Sequence, residues 1–160
     1  MRRPELIAAL NRVMREVSGQ GVIYSQAVAE RLGVGSTELE CLDCIVLRGA
    51  ATAGDLARAT GLTTGAITGV IDRLERAGYA RREPDPADRR KVLVRATPAV
   101  ATEVAPLYQP MAEASSAAMA GYDDDALSLL LDFLRTTYKA AVEATAALRE
   151  GAVSSKNAKD

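Results

Sequence analysis

The stretch "TAGDLARATGLTTGAITGVIDRLERAGYARREPDPADRRKVLVRATP", residues 52–98, decides the fold. Thr52 with Asp55 three residues on has the form of a capping box and opens a short helix to about Thr60. Ala57 is small where two helices must approach closely, and Gly61 suits a turn that needs a positive φ. Thr63 caps a second helix with Ile67, Val70, Ile71 and Leu74 on one face, and Gly78 stops it. "YARRE" and "KVLVRA" are short strands on either side of a charged loop. Two helices, a glycine turn and a following hairpin make a winged helix-turn-helix.

The flanks are helical. Pro4 starts a helix that carries Leu6, Ile7, Leu10, Val13, Met14 and Val17 at helical spacing. "SGQG" at 18–21 is expected to interrupt or kink it before it resumes to Leu32. After the loop "GVGS", Ser36 or Thr37 is expected to cap a helix bearing Leu39, Leu42, Ile45, Val46 and Leu47. Thr97–Pro98 opens a further helix, which Pro106 and Pro110 should bend or break. "GYDDD" precedes a long amphipathic helix from Leu127 to Leu148, which Gly151 should end. The expected organisation is therefore an N-terminal dimerisation region at 1–35, a winged helix-turn-helix at 36–97, C-terminal dimerisation helices at 98–151 and a disordered tail at 152–160. The fold class is mainly α with a small β-hairpin wing. The outer helices have broad apolar stripes and few core partners nearby in sequence, which suits pairing between two chains.

Composition narrows the function. The formal net charge of the 160 residues is −1, yet residues 48–95 hold ten basic and six acidic side chains. A basic middle between acidic arms is the asymmetry to read. Histidine is absent, which removes the commonest general base and metal ligand. There is no phosphate loop, metal cluster or nucleophile–base set, so no catalytic residue, metal or cofactor is expected. Aromatics are 4% of the chain, too few for a platform that stacks single strands. No signal-peptide core or membrane span is legible, and a cytoplasmic location is expected.

The loop "EPDPADRRKVLV", residues 83–94, has a chemistry of its own. Pro84 and Pro86 restrict its backbone, so the tip loses less entropy on binding. Asp88 can pair with Arg90 and hold the guanidinium outward, where a narrow minor groove would attract it. Arg89 and Lys91 can take phosphates.

Residues 52–98 resemble the MarR family of winged-helix regulators, through "DRLERAGY" leaving the second helix, "DPADRRK" in the wing and "TP" starting the next helix. The resemblance extends more weakly over about residues 5–150. It implies a homodimer that reads a near-palindromic double-stranded DNA. A repressor relieved by a small lipophilic or aromatic ligand is the expected activity. It places the recognition helix at Thr63 or Thr64, with Thr64, Gly65, Ala66, Thr68 and Gly69 at major-groove positions. Arg73 and Arg76 fall where phosphates lie, Arg90 on the wing arginine and Asp88 on its acidic partner.

The chain departs from the family pattern in one respect: its recognition helix has no basic side chain before Arg73. Gly65 and Gly69 each cost roughly 0.5–1 kcal/mol relative to Ala in a helix interior. Either they let the helix backbone sit close to DNA, with Thr64 and Thr68 hydrogen-bonding and Ala66 touching a thymine methyl, or shape readout by the wing dominates. The resemblance also points to an effector site between the first, second and fifth helices, with Tyr24, Ser25, Arg48, Tyr108 and Met111 as candidates. Two other readings stay open. Cys41 and Cys44 could form a thiol switch, although buried core thiols are the plainer assignment. The fold could also serve protein interaction without DNA.

Overall fold

The computed structural model describes residues 2–157, as six α-helices and one two-stranded hairpin: α1 Arg3–Leu32, α2 Ser36–Arg48, α3 Ala53–Thr60, α4 Thr64–Arg76, β1 Ala80–Pro84, β2 Val92–Ala96, α5 Ala105–Met119 and α6 Asp124–Asn157. A π-helical turn, Val100–Val104, leads into α5. The chain divides into two compact units, residues 1–108 and 109–160.

The winged helix-turn-helix forms as expected, from local signals. Thr52 Oγ1 accepts from the Asp55 amide at 3.1 Å, and the Asp55 carboxylate accepts from the Thr52 amide at 2.9 Å. Gly61 ends α3 at φ 74°, a left-handed geometry glycine adopts without strain. After α4, Gly78 turns the chain at φ 82°, and the Tyr79 amide closes back on the Leu74 carbonyl at 3.0 Å. The strands pair antiparallel, Ala80 opposite Ala96 and Pro84 opposite Val92. Ala51 adds a bridge to Val94, each amide donating to the other's carbonyl.

One core holds the first unit. Leu39, Leu42 and Ile45 of α2, Leu56 of α3, Ile67, Val70, Ile71 and Leu74 of α4, and Val94 of β2 are all fully or almost fully buried. The apolar periodicity of α4 thus faces the core, and its polar face is left for solvent. In α2 the buried face is Leu39, Cys41, Leu42 and Ile45, whereas Val46 and Leu47 are exposed.

Four expectations need correction. α1 runs unbroken through residues 18–21; a Cβ at Gly19 or Gly21 would meet nothing, so these glycines lie in open space on a continuous helix. The α2 cap is Gly35, not Ser36 or Thr37, and no side chain caps it. α5 continues through Pro110, and Pro106 is carried near its start, directly after the π-helical turn that is the irregularity here. α6 passes Gly151 and ends at Asn157, so the tail expected to be disordered from 152 is helical to that point, and residues 158–160 lie outside the described residues. Gly151 is tolerated inside a helix at a modest cost.

In the second unit, Leu129, Leu130, Leu131, Phe133, Leu134, Tyr138, Val142 and Leu148 of α6 remain exposed. In the first unit, Leu6, Ile7, Leu10, Val13 and Val17 of α1 are exposed as well. No helix among the described residues is long and apolar enough to cross a membrane.

Candidate nucleic-acid interface

The helix that the sequence marks as the recognition helix is α4. Thr63 caps it, its Oγ1 accepting from the Ala66 amide at 3.3 Å. Thr64, Gly65, Ala66 and Thr68 are exposed on the first turns, and Gly69 is half-buried. The Thr68 hydroxyl donates to the Thr64 carbonyl at 3.0 Å, which leaves its lone pairs as acceptors facing outward. The sequence places no charge among these residues, but the structure brings two guanidinium groups to their edge: Arg82 Nη2 donates to the Thr68 carbonyl at 3.5 Å, and Arg73 Nη1 lies beside Gly69.

The two basic residues further along are already engaged. Arg73 donates from Nε to the carboxylate of Glu38, a buried side chain on α2. Arg76 donates from Nε to the Asp72 carbonyl at 3.3 Å, and its side chain is otherwise exposed. Arg73 therefore has an internal partner that the phosphate assignment did not include.

The wing tip is a set of nested turns. The Asp85 amide donates to the Lys91 carbonyl at 3.0 Å and the Lys91 amide to the Asp88 carbonyl at 2.8 Å. Asp85 Oδ1 accepts from the Ala87 amide at 2.8 Å, and Asp88 Oδ1 from the Arg90 amide at 3.2 Å. Such short-range bonds from Asp order a loop that has no sheet partner. The Arg90 guanidinium reaches back to Asp88 and leaves 90% of its side chain in solvent. Arg90 holds the Asp88 carboxyl below the usual range, first through its side chain and then through its amide. Arg89 and Lys91 flank it, both exposed. The structure thus brings Asp88, Arg89, Arg90 and Lys91 together at one tip.

Arg82 is a structural link the sequence reading did not single out. Its Nη2 lies 2.7 Å from Asp72 Oδ1, its Nη1 pairs with Glu75, and its amide donates to Glu75 Oε1 at 2.8 Å. It therefore ties β1 to the end of α4. The acids at 72 and 75, one turn apart on "DRLE", were the available signal.

The effector candidates divide. Tyr24 of α1 donates its hydroxyl to the Leu107 carbonyl at 2.5 Å, and its ring lies 5.8 Å from that of Tyr108. The Tyr108 hydroxyl is buried and faces Ser25. Ser25 lines a cavity of about 420 Å³ between α1 and α2, with Ser18, Val22, Gln26, Leu39, Glu40 and Asp43. Burial, and then the charge of Glu40, push the Asp43 carboxyl above its usual range. Arg48 is exposed at the end of α2 and does not line this cavity, and Met111 belongs to the second unit. Cys41 is fully buried, and burial, then Cys44, Glu40 and Glu38, push its thiol up to about 11. Cys44 is half-buried, and both are free thiols.

Known proteins agree with this geometry. Residues 34–92 match the model of the MarR family. The uncharacterized HTH-type transcriptional regulator YcgE of Bacillus subtilis is 36% identical over 132 residues, covering 82% of this chain and 86% of that protein. A MarR family protein from Bacillus stearothermophilus superposes with a TM-score of 0.64 at 16% identity, covering 88% of this chain and 99% of the other. Bordetella bronchiseptica BpsR, whose DNA binding is regulated by 6-hydroxynicotinic acid, superposes with a TM-score of 0.50 at 24% identity, covering 80% and 91%. The capped recognition helix, its wing and these relatives together place the chain in the MarR family of transcriptional regulators.

Proposed function

We propose that this regulator binds a near-palindromic DNA duplex as a homodimer and acts as a repressor that a small lipophilic or aromatic ligand releases. The wing tip carries the reading: Arg89, Arg90 and Lys91 project from a loop already ordered by Asp85 and Asp88. A preformed cationic tip loses little entropy when it meets phosphates or a minor groove. The first turns of α4 offer hydroxyls and a methyl to the major groove, at Thr64, Thr68 and Ala66. The affinity is accordingly weighted toward the wing and the base readout toward α4.

Ligand release is supported by the cavity between α1 and α2 and by the regulation of BpsR, a relative in fold, by a small heteroaromatic acid. The thiol-switch reading is not favoured at Cys41, where a buried thiol with a raised pKa holds little thiolate to oxidise; half-buried Cys44 is the thiol left to it.

The deciding experiment selects duplexes from a randomised pool and measures affinity by fluorescence anisotropy across salt. Tight binding that falls steeply with salt is expected. No retention at micromolar protein, or a salt-insensitive affinity, would replace the DNA reading with the protein-interaction one.

A further inference from the structure

Among the described residues, Glu38 alone of the charged side chains is buried, at 6% exposure. It stands on the first turn of α2 and accepts from Arg73 Nε on α4, thirty-five residues away. A carboxylate at this depth needs a charged partner, because its desolvation is otherwise uncompensated. Arg73 is that partner, with half of its side chain still exposed.

Two glycines make room for the pair. A Cβ at Gly35 would collide with the Glu38 carboxylate, and a Cβ at Gly69 would stand 3.3 Å from Arg73 Nη1. Neither glycine has a positive φ, so the backbone does not require them there. At Gly35 the Glu38 carboxylate fills the space a Cβ would need, whereas at Gly69 the Arg73 guanidinium would have to give by only a few tenths of an ångström. Gly65 differs: a Cβ there would meet nothing. The glycine at 69, on an exposed helix otherwise read as a DNA surface, thus leaves this guanidinium room.

We propose that Arg73 serves DNA binding through Glu38, as a positioning residue that fixes the recognition helix against α2, and not as a phosphate contact. The proposal rests on the DNA-binding reading and concerns the role of one arginine within it. The two roles predict opposite signs for one substitution. Glu38→Gln removes a negative charge close to the DNA-binding surface, so electrostatics alone would tighten duplex binding. Positioning predicts weaker binding, because the neutral amide no longer holds the guanidinium.

The test is a double-mutant cycle read by anisotropy on the selected duplex, with Glu38→Gln, Arg73→Gln and the double variant. Each single variant should weaken specific binding by about tenfold, and the double by little more than either, since both remove one interaction. The slope of log affinity against log salt should stay at the wild-type value. Stoichiometric titration should give the wild-type active fraction, which separates misplacement of α4 from loss of folded protein. A slope reduced by about 0.9 in Arg73→Gln, with binding unchanged or tighter in Glu38→Gln, would make Arg73 a phosphate contact and overturn the proposal. If the Glu38 variants fail to melt cooperatively, Arg73→Gln alone carries the test: lower specific affinity at the wild-type slope supports the positioning role, and a slope reduced by about 0.9 overturns it. Absence of duplex binding by the wild-type protein would sink the DNA reading and this role together, whereas binding with an additive cycle would sink this role alone.

Discussion

The Arg90 guanidinium lies along the Asp88 carboxylate, Nε 3.1 Å from Oδ1 and Nη2 3.4 Å from Oδ2, with nine-tenths of the arginine side chain in solvent. A two-point contact fixes the plane of the guanidinium as well as its place. The same carboxylate also accepts the Arg90 amide, so one aspartate orders both the backbone and the side chain of the residue it presents.

Arg90→Ala should therefore weaken duplex binding by about tenfold or more and reduce the salt slope by about 0.9, the signature of one lost phosphate-like contact. Arg90→Lys keeps the charge but cannot make the two-point contact, so it should keep the slope and lose part of the affinity. Anisotropy titrations at several salt concentrations read both. Unchanged binding in Arg90→Ala would remove the wing from the interface.

The box at the start of α3 gives a pH-dependent prediction. Hydrogen bonds from the Thr52 hydroxyl and then its amide hold the Asp55 carboxyl below the usual range, helped by Arg58 and Arg48. A group lowered in the folded state stabilises it fully above the unfolded carboxyl's pKa, near 4, and loses that contribution as pH falls through the folded value. Thr52→Ala should cost about 1 kcal/mol at neutral pH and bring the Asp55 titration back toward the ordinary range. In a chain of this size that is about 2–4 °C in melting temperature. Calorimetry at pH 7 and again at strongly acid pH should show the gap between the two proteins closing. A gap of equal size at both would mean that the box does not act through the ionised carboxylate.

What was legible in advance follows from the range of each signal. Thr52 with Asp55, Gly61, Thr63 and Gly78 act within one turn of themselves, and each occupies its expected place. The pairing of Asp88 with Arg90 is equally local. Glu38 with Arg73 and the seat of Arg82 on Asp72 and Glu75 join separate elements, and side chains ten or thirty-five residues apart carry no spacing rule. Gly69 shows the cost: like Gly65 on the same helix it suggests an external neighbour, and only the placed guanidinium of Arg73 reveals an internal one beside it. The kink expected at 18–21 failed for a related reason. A small helix-breaking propensity there is outweighed by thirty residues of cooperative helix.

Cys41 should be inert in the folded protein. Its side chain is fully buried and its thiol is pushed up to about 11, so fewer than about one in a thousand is ionised at pH 7.5. Iodoacetamide followed by mass spectrometry should label half-buried Cys44 first and reach Cys41 only on unfolding. Fast native labelling of Cys41 would contradict its inertness, and loss of DNA binding after mild peroxide would restore the thiol switch, at whichever of Cys41 and Cys44 is oxidised.

The exposed apolar faces make the proposed dimer testable. On α1, Leu6, Ile7, Leu10, Val13 and Val17 recur at helical spacing and are each about half exposed or more. On α6, Leu130, Leu134, Tyr138 and Val142 recur at the same spacing and are also exposed. Neither set is needed by the core of the first unit, which is built from α2, α3, α4 and β2 with Val28 and Ala29 of α1. A two-fold interface repeats every contact, so one charged substitution is felt twice. Burying a leucine contributes about 1.5–3 kcal/mol, and two such losses should raise the dimer dissociation constant by at least about a hundredfold. Leu10→Glu and Leu134→Glu should therefore shift the mass seen by light scattering from that of two chains toward the 16.9 kDa of one, while the thermal transition of the winged unit persists. A monomer also offers one recognition helix and one wing in place of two, so affinity for a two-half-site duplex should fall far more than affinity for a single half-site. A mass that stays at two chains in both variants would move the interface away from these faces.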